Sequence, residues 1–459
     1  MNAVSQKQPG SVPRRDWTKG NILKNLWLLS WPVIVLGVLY SVNLILEMIW
    51  VGRLGSAAIA GVGISGFIVF LVIAIKNGLG AGERALVARY VGGGDMVSAR
   101  QVAGQAFVIA TVYGLLVTAI GLLFAQPIFS LFNLAPEAVA EGVVYLKIIM
   151  AGWLTEAFWM TSFYVMQASG DTITPMKIAI IIRVVNAVLC PFLVLGWWVF
   201  PSLGVSGAAI TYIIATGLGM LLCLGAFFYG KTRIKLTLSD FYPNTAIIRR
   251  ILRIGLPASI SGLSKAFGDL IVTSLMIPFG TLALAAHNLL SRIELFINTP
   301  VLGFGTGASV LVGQNLGARQ PAQAAKSGWS AAGLISAFMI TCAVIILIWA
   351  EKIIGLFNVE PDLVTTGSTF LRIAVTGYLG MCFGNILQQC ITGSGDTLPP
   401  MIISMTMLWV VQLPLAFLFT RYTDLGAIGI RWAIVISFVA GAIAYTAYFR
   451  GGRWQRKRV

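Results

Sequence analysis

The stretch SGDTITPM at residues 169–176 returns as SGDTLPPM at residues 394–401. The two copies lie 225 positions apart, and the same spacing joins further glycines and prolines without a gap from about residue 30 to residue 176. The chain is therefore two copies of one unit, and this repeat decides its architecture. The matched residues include Pro32 with Pro257, Gly55 with Gly280, and the run Gly78, Gly80 and Gly82 with Gly303, Gly305 and Gly307.

The composition identifies an integral membrane protein. Hydrophobic residues make up 58 % of the chain and charged residues only 10 %, and the mean hydropathy is +0.87. Apolar stretches of roughly 18 or more residues recur along the whole length, which is typical of a multi-spanning, all-α membrane protein. We predict about twelve transmembrane helices, at residues 25–50, 57–80, 101–125, 140–167, 175–200, 205–229, 250–277, 282–307, 327–349, 363–391, 400–421 and 427–449.

The basic residues indicate topology rather than nucleic-acid binding. The net charge is +16, but Lys and Arg fall in short loops that share one side if twelve helices alternate. The positive-inside rule then places both termini in the cytoplasm of a multi-pass protein of the cell's inner membrane. No small-residue cleavage site follows the first apolar stretch, so we expect no signal peptide.

Two units of six helices share one orientation, and a pseudo-two-fold axis along the membrane normal should relate the two six-helix bundles. This is the parallel-repeat plan of secondary transporters, although a channel or a membrane enzyme could also be duplicated. The predicted organisation is an N-terminal segment (1–24), an N-terminal bundle (25–229), a cytoplasmic linker (230–249), a C-terminal bundle (250–449) and a basic tail (450–459).

Cofactor and enzyme signatures are lacking in the sequence. The five cysteines have no paired spacing and His287 is the only histidine, so neither a disulfide framework nor a metal site is indicated. The glycine runs end long apolar helices instead of following a strand, which favours close helix packing over a nucleotide fingerprint. We expect no cofactor and no enzymatic activity. The repeated motif favours helix caps: Asp171, Thr172 or Thr174 can cap the helix that carries Pro175, and Asp396 or Thr397 the helix that carries Pro399 and Pro400.

Acidic residues within apolar helices need a reason, because a charge at membrane depth costs several kcal/mol. Glu47, Glu156, Asp269 and Glu294 lie at such positions. Lys265 precedes Asp269 by four residues, which favours an ion pair on one helix face as much as a functional role. Glu47 has no basic residue within one helical turn, and we predict that it titrates or binds a cation.

Several motifs together resemble the multidrug and toxic compound extrusion (MATE) family. The segment EMIWVGRLG at 47–55 resembles the family's acid-x-x-x-V-G-R-L-G signature, and AAH at 285–287, VGQNLGA at 312–318 and the doubled G-D-T-x-x-P are also similar to family motifs. The resemblance covers about residues 25–449. It implies a V-shaped pair of six-helix bundles that expel organic, often cationic, compounds in exchange for protons or sodium ions.

The resemblance also implies site residues. Glu47 matches the first-helix acid that binds the coupling ion, and Asn186 matches the asparagine of the fifth-helix pattern N-x-x-L-D-P, in which Cys190 replaces the aspartate. Lys265 stands where some branches have a glutamate. We therefore predict Glu47 with Asn186 as the principal coupling site, and Lys265 with Asp269 as a second polar cluster.

The leading hypothesis is an ion-coupled exporter of small molecules, embedded in the bilayer as a monomer and without a nucleic-acid partner. A substrate cavity could be lined by polar and apolar side chains, although contact with lipid or packing inside the bundle explains the aromatic and methionine residues equally well. The alternative is a flippase for a lipid-linked precursor, whose cavity should hold several cations. The predicted lining residues are Glu156, Trp159, Met160, Phe163, Tyr164 and Glu294.

Overall fold

The computed structural model describes residues 15–132, 134–198, 200–230, 232–357 and 360–457. Within these ranges the chain is helical and forms no strand. Residues 1–14 of the predicted N-terminal segment and the last two residues of the tail lie outside them. The α-helices are α1 (Ile22–Gly52), α2 (Ser56–Gly92), α3 (Met96–Ser130), α4 (Pro136–Ala151), α5 (Trp153–Ala168), α6 (Ile173–Leu195), α7 (Val205–Phe228), α8 (Thr245–Met276), α9 (Gly280–Gly317), α10 (Pro321–Gly355), α11 (Pro361–Gly393), α12 (Leu398–Met405), α13 (Leu413–Tyr422) and α14 (Ala427–Arg450).

These helices form twelve spans. Among the described residues, ten continuous stretches and one bent pair are long and apolar enough to cross a membrane, and one stretch, Thr245–Gly317, has 73 residues. A straight helix of that length would measure about 110 Å, several times the roughly 30 Å of a bilayer core. It divides instead into α8 and α9 at Gly280, where φ is +89°. The prediction of an all-α protein with twelve spans is confirmed.

Two spans are interrupted where the sequence predicted uniform helices. The predicted helix at 140–167 is the pair α4 and α5, which bend by 53° at Gly152. The predicted helix at 400–421 consists of α12, a π-helix at Thr406–Gln412, and α13. Apolar periodicity does not report such breaks, because both segments keep their hydrophobic character through them. π-Turns of this kind are often found at functional sites.

Glycines join the two halves in symmetric pairs. A Cβ at Gly78 would lie 2.1 Å from the backbone nitrogen of Ser259 on α8. A Cβ at Gly303, the repeat partner of Gly78, would lie 2.4 Å from Ile34 on α1, the repeat partner of Ser259. The prediction that these glycines permit close helix packing is confirmed. The same relation holds for Gly82 facing Ile251 and Gly307 facing Leu26 and Ser30, and for Gly92 facing Gln314 and Gly317 facing Arg89.

The halves touch at one end of the bundle and separate toward the other. The glycine contacts extend from Gly92 and Gly317, at the end where α1 begins and α14 ends, to Gly37 and Gly262 near the middle of their helices. We call this the closed end. Farther along α1 and α8, large apolar side chains are exposed, among them Leu44, Met48, Phe267 and Leu270. A cleft therefore opens between the halves toward the opposite end, which we call the open end.

The two copies of the repeated motif, at 169–176 and 394–401, make different contacts. Gly170 and Gly395 both have a φ of +90°, a backbone conformation that glycine adopts without strain. Asp171 accepts a hydrogen bond from the Thr174 backbone nitrogen at 3.0 Å, as predicted for a cap. Asp396 instead accepts from the Tyr448 hydroxyl at 2.6 Å and pairs with Lys457 at 3.0 Å. The predicted cap at Asp396 or Thr397 is wrong: Lys457 of the C-terminal tail pairs with the Asp396 carboxylate, and Thr397 makes no side-chain cap hydrogen bond.

The linker between the halves is bound to α3. Arg100 pairs with Asp240 at 2.8 Å, and the Gln105 amide donates to the carbonyl oxygens of Asp240 and Tyr242 at 2.9 and 2.8 Å. The Gln105 oxygen accepts from the Asn244 backbone nitrogen at 2.8 Å. Because α8 begins at Thr245, the predicted linker boundary at 249 is too late by about one helical turn.

Candidate functional site

Glu47 is buried in α1, on the side of the helix that faces its own half. Its side chain is 9 % exposed, and its Oε1 atom accepts a hydrogen bond from the Tyr145 hydroxyl of α4 at 2.7 Å. This partner lies 98 residues away in the chain, so no spacing on α1 could have indicated it. A carboxylate held by a single hydroxyl can still bind a proton or a cation.

Arg183 of α6 supplies the positive charge that sequence spacing around Glu47 did not show. Its guanidinium acts electrostatically on the carboxylates of both Glu47 and Glu156. It also lies over the ring of Tyr40, 5.2 Å from the centroid, at a distance suited to a cation–π contact. The two acids and the arginine therefore form one electrostatic unit between α1, α5 and α6.

Glu156 belongs to this unit and not to an outer surface. It lies in the first turn of α5, directly after the bend at Gly152, and is 6 % exposed. Tyr212 of α7 interacts electrostatically with the Glu156 carboxylate, and the Oε2 atom of Glu156 has no hydrogen-bond partner. We call the following set the amino-half cluster: Tyr40, Glu47, Tyr145, Glu156, Arg183, Asn186, Cys190 and Tyr212.

Asn186 and Cys190 line the same face of α6 as Arg183, at intervals of three and four residues. Both are buried, and the Cys190 thiol is within electrostatic range of Glu47. Asn186 makes no recorded hydrogen bond to Glu47. The predicted Glu47–Asn186 pair is thus in one cluster, but the direct partner of Glu47 is Tyr145.

The C-terminal half has its own buried ion pair. Arg431 of α14, 2 % exposed, has its Nη1 atom 3.6 Å from Oε1 of Glu294. Its Nη2 atom donates to the His287 carbonyl oxygen at 3.4 Å, and its guanidinium lies 5.5 Å from the ring centroid of Phe370. Phe370 is the repeat partner of Tyr145, so corresponding positions contact an acid in one half and a cation in the other.

Lys265 and Asp269 are both exposed on α8, and the structure records no ion pair between them. The ion-pair interpretation of their four-residue spacing is therefore wrong. Both charges act electrostatically on Glu294 of α9, in the same half. The predicted second polar cluster thus extends from α8 to Glu294 and Arg431.

A further ion pair lies inside α2. Lys76 and Glu83 are fully buried, with Nζ and Oε1 2.7 Å apart. Tyr164 of α5 lies beside Lys76 and Arg84, and its hydroxyl donates to the Asn77 side chain. The predicted helix ended at residue 80, whereas α2 continues to Gly92, so Glu83 was placed in a loop.

Packing explains most of the predicted aromatic lining. Trp159 is buried in the core of the N-terminal half, and Met160 and Phe163 are partly buried against it. Tyr164 is 4 % exposed and serves the Lys76 pair. The packing alternative therefore holds for these four residues, while Glu156 and Glu294 belong to the two polar clusters.

Sequence comparison finds relatives that match both halves of the chain. The MatE family profile matches residues 32–192 and 257–418, one match in each half. The probable multidrug resistance protein NorM of Thermotoga maritima is 24 % identical over 444 residues, covering 95 % of this chain and 94 % of that protein. The probable multidrug resistance protein YoeA of Bacillus subtilis is 26 % identical over 458 residues, covering 96 % of each.

A solved structure shows the same fold. It is described as the outward-facing conformation of a multidrug resistance MATE family transporter of the MOP superfamily. Its TM-score is 0.90 at 24 % identity, with 98 % of this chain and 100 % of that chain covered. The two profile matches, one in each copy of the repeat, show that the chain belongs to the MatE family of multi-pass membrane transporters and is not an enzyme.

Proposed function

We propose that this protein exports organic compounds, cationic or amphiphilic, in exchange for protons or sodium ions, with Glu47 as the principal coupling residue. The observation that carries the proposal is the position of Glu47: buried near the open end of α1, in a unit with one further acid and a single cation. Export is supported by the multidrug resistance relatives.

The mechanism follows from charge competition within the amino-half cluster. When Glu47 is ionised, its carboxylate attracts a cationic substrate. Proton or sodium binding at the same acid removes that attraction and releases the substrate. A ligand shifts a two-state equilibrium only by its different affinity for the two states. Alternate exposure of the cluster at the two ends of the bundle then couples the two fluxes.

The orientation belongs to the same proposal. The closed end carries both termini and is rich in basic residues, among them Arg89, Arg100 and Arg250. By the positive-inside rule this end faces the cytoplasm of the cell membrane, and the cleft faces outward. A monomer is sufficient, because both polar clusters are formed within one chain.

A lipid-precursor flippase receives less support. Its cleft would have to offer unbalanced cations to an anionic head group. Arg431 and Lys76 are instead paired with carboxylates, and Arg183 acts electrostatically on two of them.

The test is efflux from proteoliposomes with a proton or a sodium gradient imposed separately. A fluorescent organic cation serves as substrate. The Glu47→Gln variant should lose gradient-driven efflux, because the amide can neither ionise nor exchange a proton. Glu141→Gln, at an exposed acid on α4, is the matched control and should behave as wild type. Gradient-driven efflux by Glu47→Gln at the wild-type rate would refute the proposal.

A further inference from the structure

The amino-half cluster has an uneven charge balance. Two carboxylates, Glu47 and Glu156, share one guanidinium, Arg183, so one negative charge is unbalanced when both acids are ionised. In the C-terminal half, Glu294 and Asp269 are matched by Arg431 and Lys265. The C-terminal cluster thus has equal numbers of acids and cations, whereas the amino-half cluster has one acid in excess.

The titratable groups that face the two acids come from every element packed around them. They are Tyr40 of α1, Tyr145 of α4, Tyr164 of α5, Arg183 and Cys190 of α6, and Tyr212 of α7. Tyrosine and cysteine side chains are neutral in their protonated forms, so only Arg183 adds a permanent charge, since a guanidinium does not deprotonate in proteins.

We propose that Arg183 is a resident counter-charge that sets the valence of the transported cation. With Arg183 present, the amino-half cluster needs one further positive charge to become electrically neutral. One proton on Glu47 or Glu156, or one monovalent organic cation, supplies that charge. Organic dications are disfavoured because they would leave an excess positive charge in the cluster. The inference rests on the proposed exchange and specifies its substrate class. As the monovalent cation enters, the shared proton leaves its carboxylate oxygen for water.

The position of Arg183 suits this role. Its guanidinium is fixed over the Tyr40 ring, and it stands on the same α6 face as the buried Asn186 and Cys190. It forms no ion pair within 4 Å with either acid, so it acts on both carboxylates at longer range and does not occupy their oxygens. Two unit charges roughly 10 Å apart at an effective dielectric constant of about 20 change a binding constant by about tenfold or more.

The experiment compares two probes of one chemical series on the full-length protein in detergent. The monocation is butyltriphenylphosphonium, and the dication carries a trimethylammonium group at the end of the same butyl chain. Wild type should bind the monocation at least tenfold more tightly than the dication. A pH indicator in weak buffer should record at most one proton released for each monocation bound.

Arg183→Gln should bind the dication about tenfold more tightly than wild type does, and its maximal proton release should rise above one. Arg183→Lys keeps the charge and should retain wild-type selectivity, which separates charge from packing. Equal affinity of wild type for both probes, or unchanged dication binding in a folded Arg183→Gln, overturns the inference. If Arg183→Gln does not fold, the wild-type and Arg183→Lys comparison still decides.

Failure of the underlying exchange gives a different result. In that case wild type would bind the monocation with no proton release at any pH, and neither gradient would drive efflux. A wild type that exchanges protons but releases two for each monocation retains the exchange and refutes only the role of Arg183.

Discussion

Substitution of Gly78 by alanine should open the closed end. A Cβ at this position would lie 2.1 Å from the backbone nitrogen and 2.3 Å from the Cα atom of Ser259. Backbone atoms cannot rotate away as a side chain can, so α2 and α8 must move apart by about 1 Å or more to reach ordinary contact.

The magnitude follows from the cost of overpacking, about 1–3 kcal/mol for an added methyl in a tightly packed site. The strain exists only while the two helices touch. It therefore biases the equilibrium away from the state closed at this end by a factor of about 5 to 150. Gly303→Ala, at the repeat partner, should have a smaller effect, because the nearest atom is the side-chain Cγ1 of Ile34.

Distances between spin labels can measure this shift. Ile173 and Leu398 are repeat partners at the closed end, and both are exposed. Labels on cysteines introduced there, with the partly exposed Cys342 replaced by serine, report the separation of the halves. Gly78→Ala should move the distance distribution toward longer values.

The control is Gly63→Ala on the same helix, where a Cβ would meet nothing within 4 Å. It tests whether the added methyl matters by itself, for instance through helix propensity. If Gly78→Ala and Gly63→Ala give the same distance distribution in folded protein, the glycine contacts do not hold this end closed.

Three further predictions concern other parts of the molecule. Tyr145→Phe removes the hydroxyl that donates a hydrogen bond to Glu47 at 2.7 Å. Because a hydrogen bond to a charged group is worth roughly 1.5–3 kcal/mol, the pH midpoint of efflux should move upward by about one unit or more. An unchanged midpoint would show that this hydrogen bond has no part in coupling. Lys76→Met leaves the buried Glu83 without its partner and should destabilise the protein by about 3–5 kcal/mol, as measured by thermal unfolding. A double variant that also carries Glu83→Gln should recover most of this lost stability, because no buried charge is then left unpaired. Asp95 caps α3, and hydrogen bonds from the Ser98 hydroxyl and backbone nitrogen lower the pKa of Asp95. The stability that this cap contributes is present above the pKa of Asp95 in the unfolded chain and is lost as the pH falls through its pKa in the folded protein. Asp95→Ala should therefore lower the free energy of unfolding by about 1 kcal/mol near neutral pH and leave it unchanged in acid.

The sequence predicted the fold well because both deciding signals are local or exactly repeated. Apolar length marks each span, and the 225-residue offset marks the duplication. It did not predict the break at Gly152 or the π-helix at Thr406–Gln412, since neither changes hydropathy. The incorrect prediction of a cap at Asp396 has a different cause: this carboxylate pairs with the C-terminal tail, a tertiary contact that the local sequence does not indicate.

The site was predicted only in part. Glu47 stood out because an isolated acid in an apolar helix needs a reason, but its contacts with Tyr145 and Arg183 cross between helices. Arg431 is, like Glu47, a lone charged residue in an apolar stretch of sequence. The criterion that predicted Glu47 also predicts Arg431 when it is applied to basic as well as acidic residues. Lys76 and Glu83 were missed because the predicted helix ended too early.

The two halves also show how duplication permits divergence. Glycine contacts recur in pairs because each holds the common scaffold together. The charged residues of the two polar clusters have no such pairs: Glu47 lies opposite Val272, Glu156 opposite Met381 and Arg183 opposite Leu408. A packing position constrains both copies equally, whereas one ion site is enough for exchange.

The attachment of the linker to α3 has a consequence for how the chain can be divided. Through Gln105 and Arg100, the segment up to Tyr242 is held by the N-terminal half, so it belongs structurally to that half and transmits little tension between the two. A gene split between the codons for Tyr242 and Pro243 should therefore yield two polypeptides that reassemble through their shared glycine contacts. Separate expression of the halves would then allow isotope labelling or mutation of one repeat at a time.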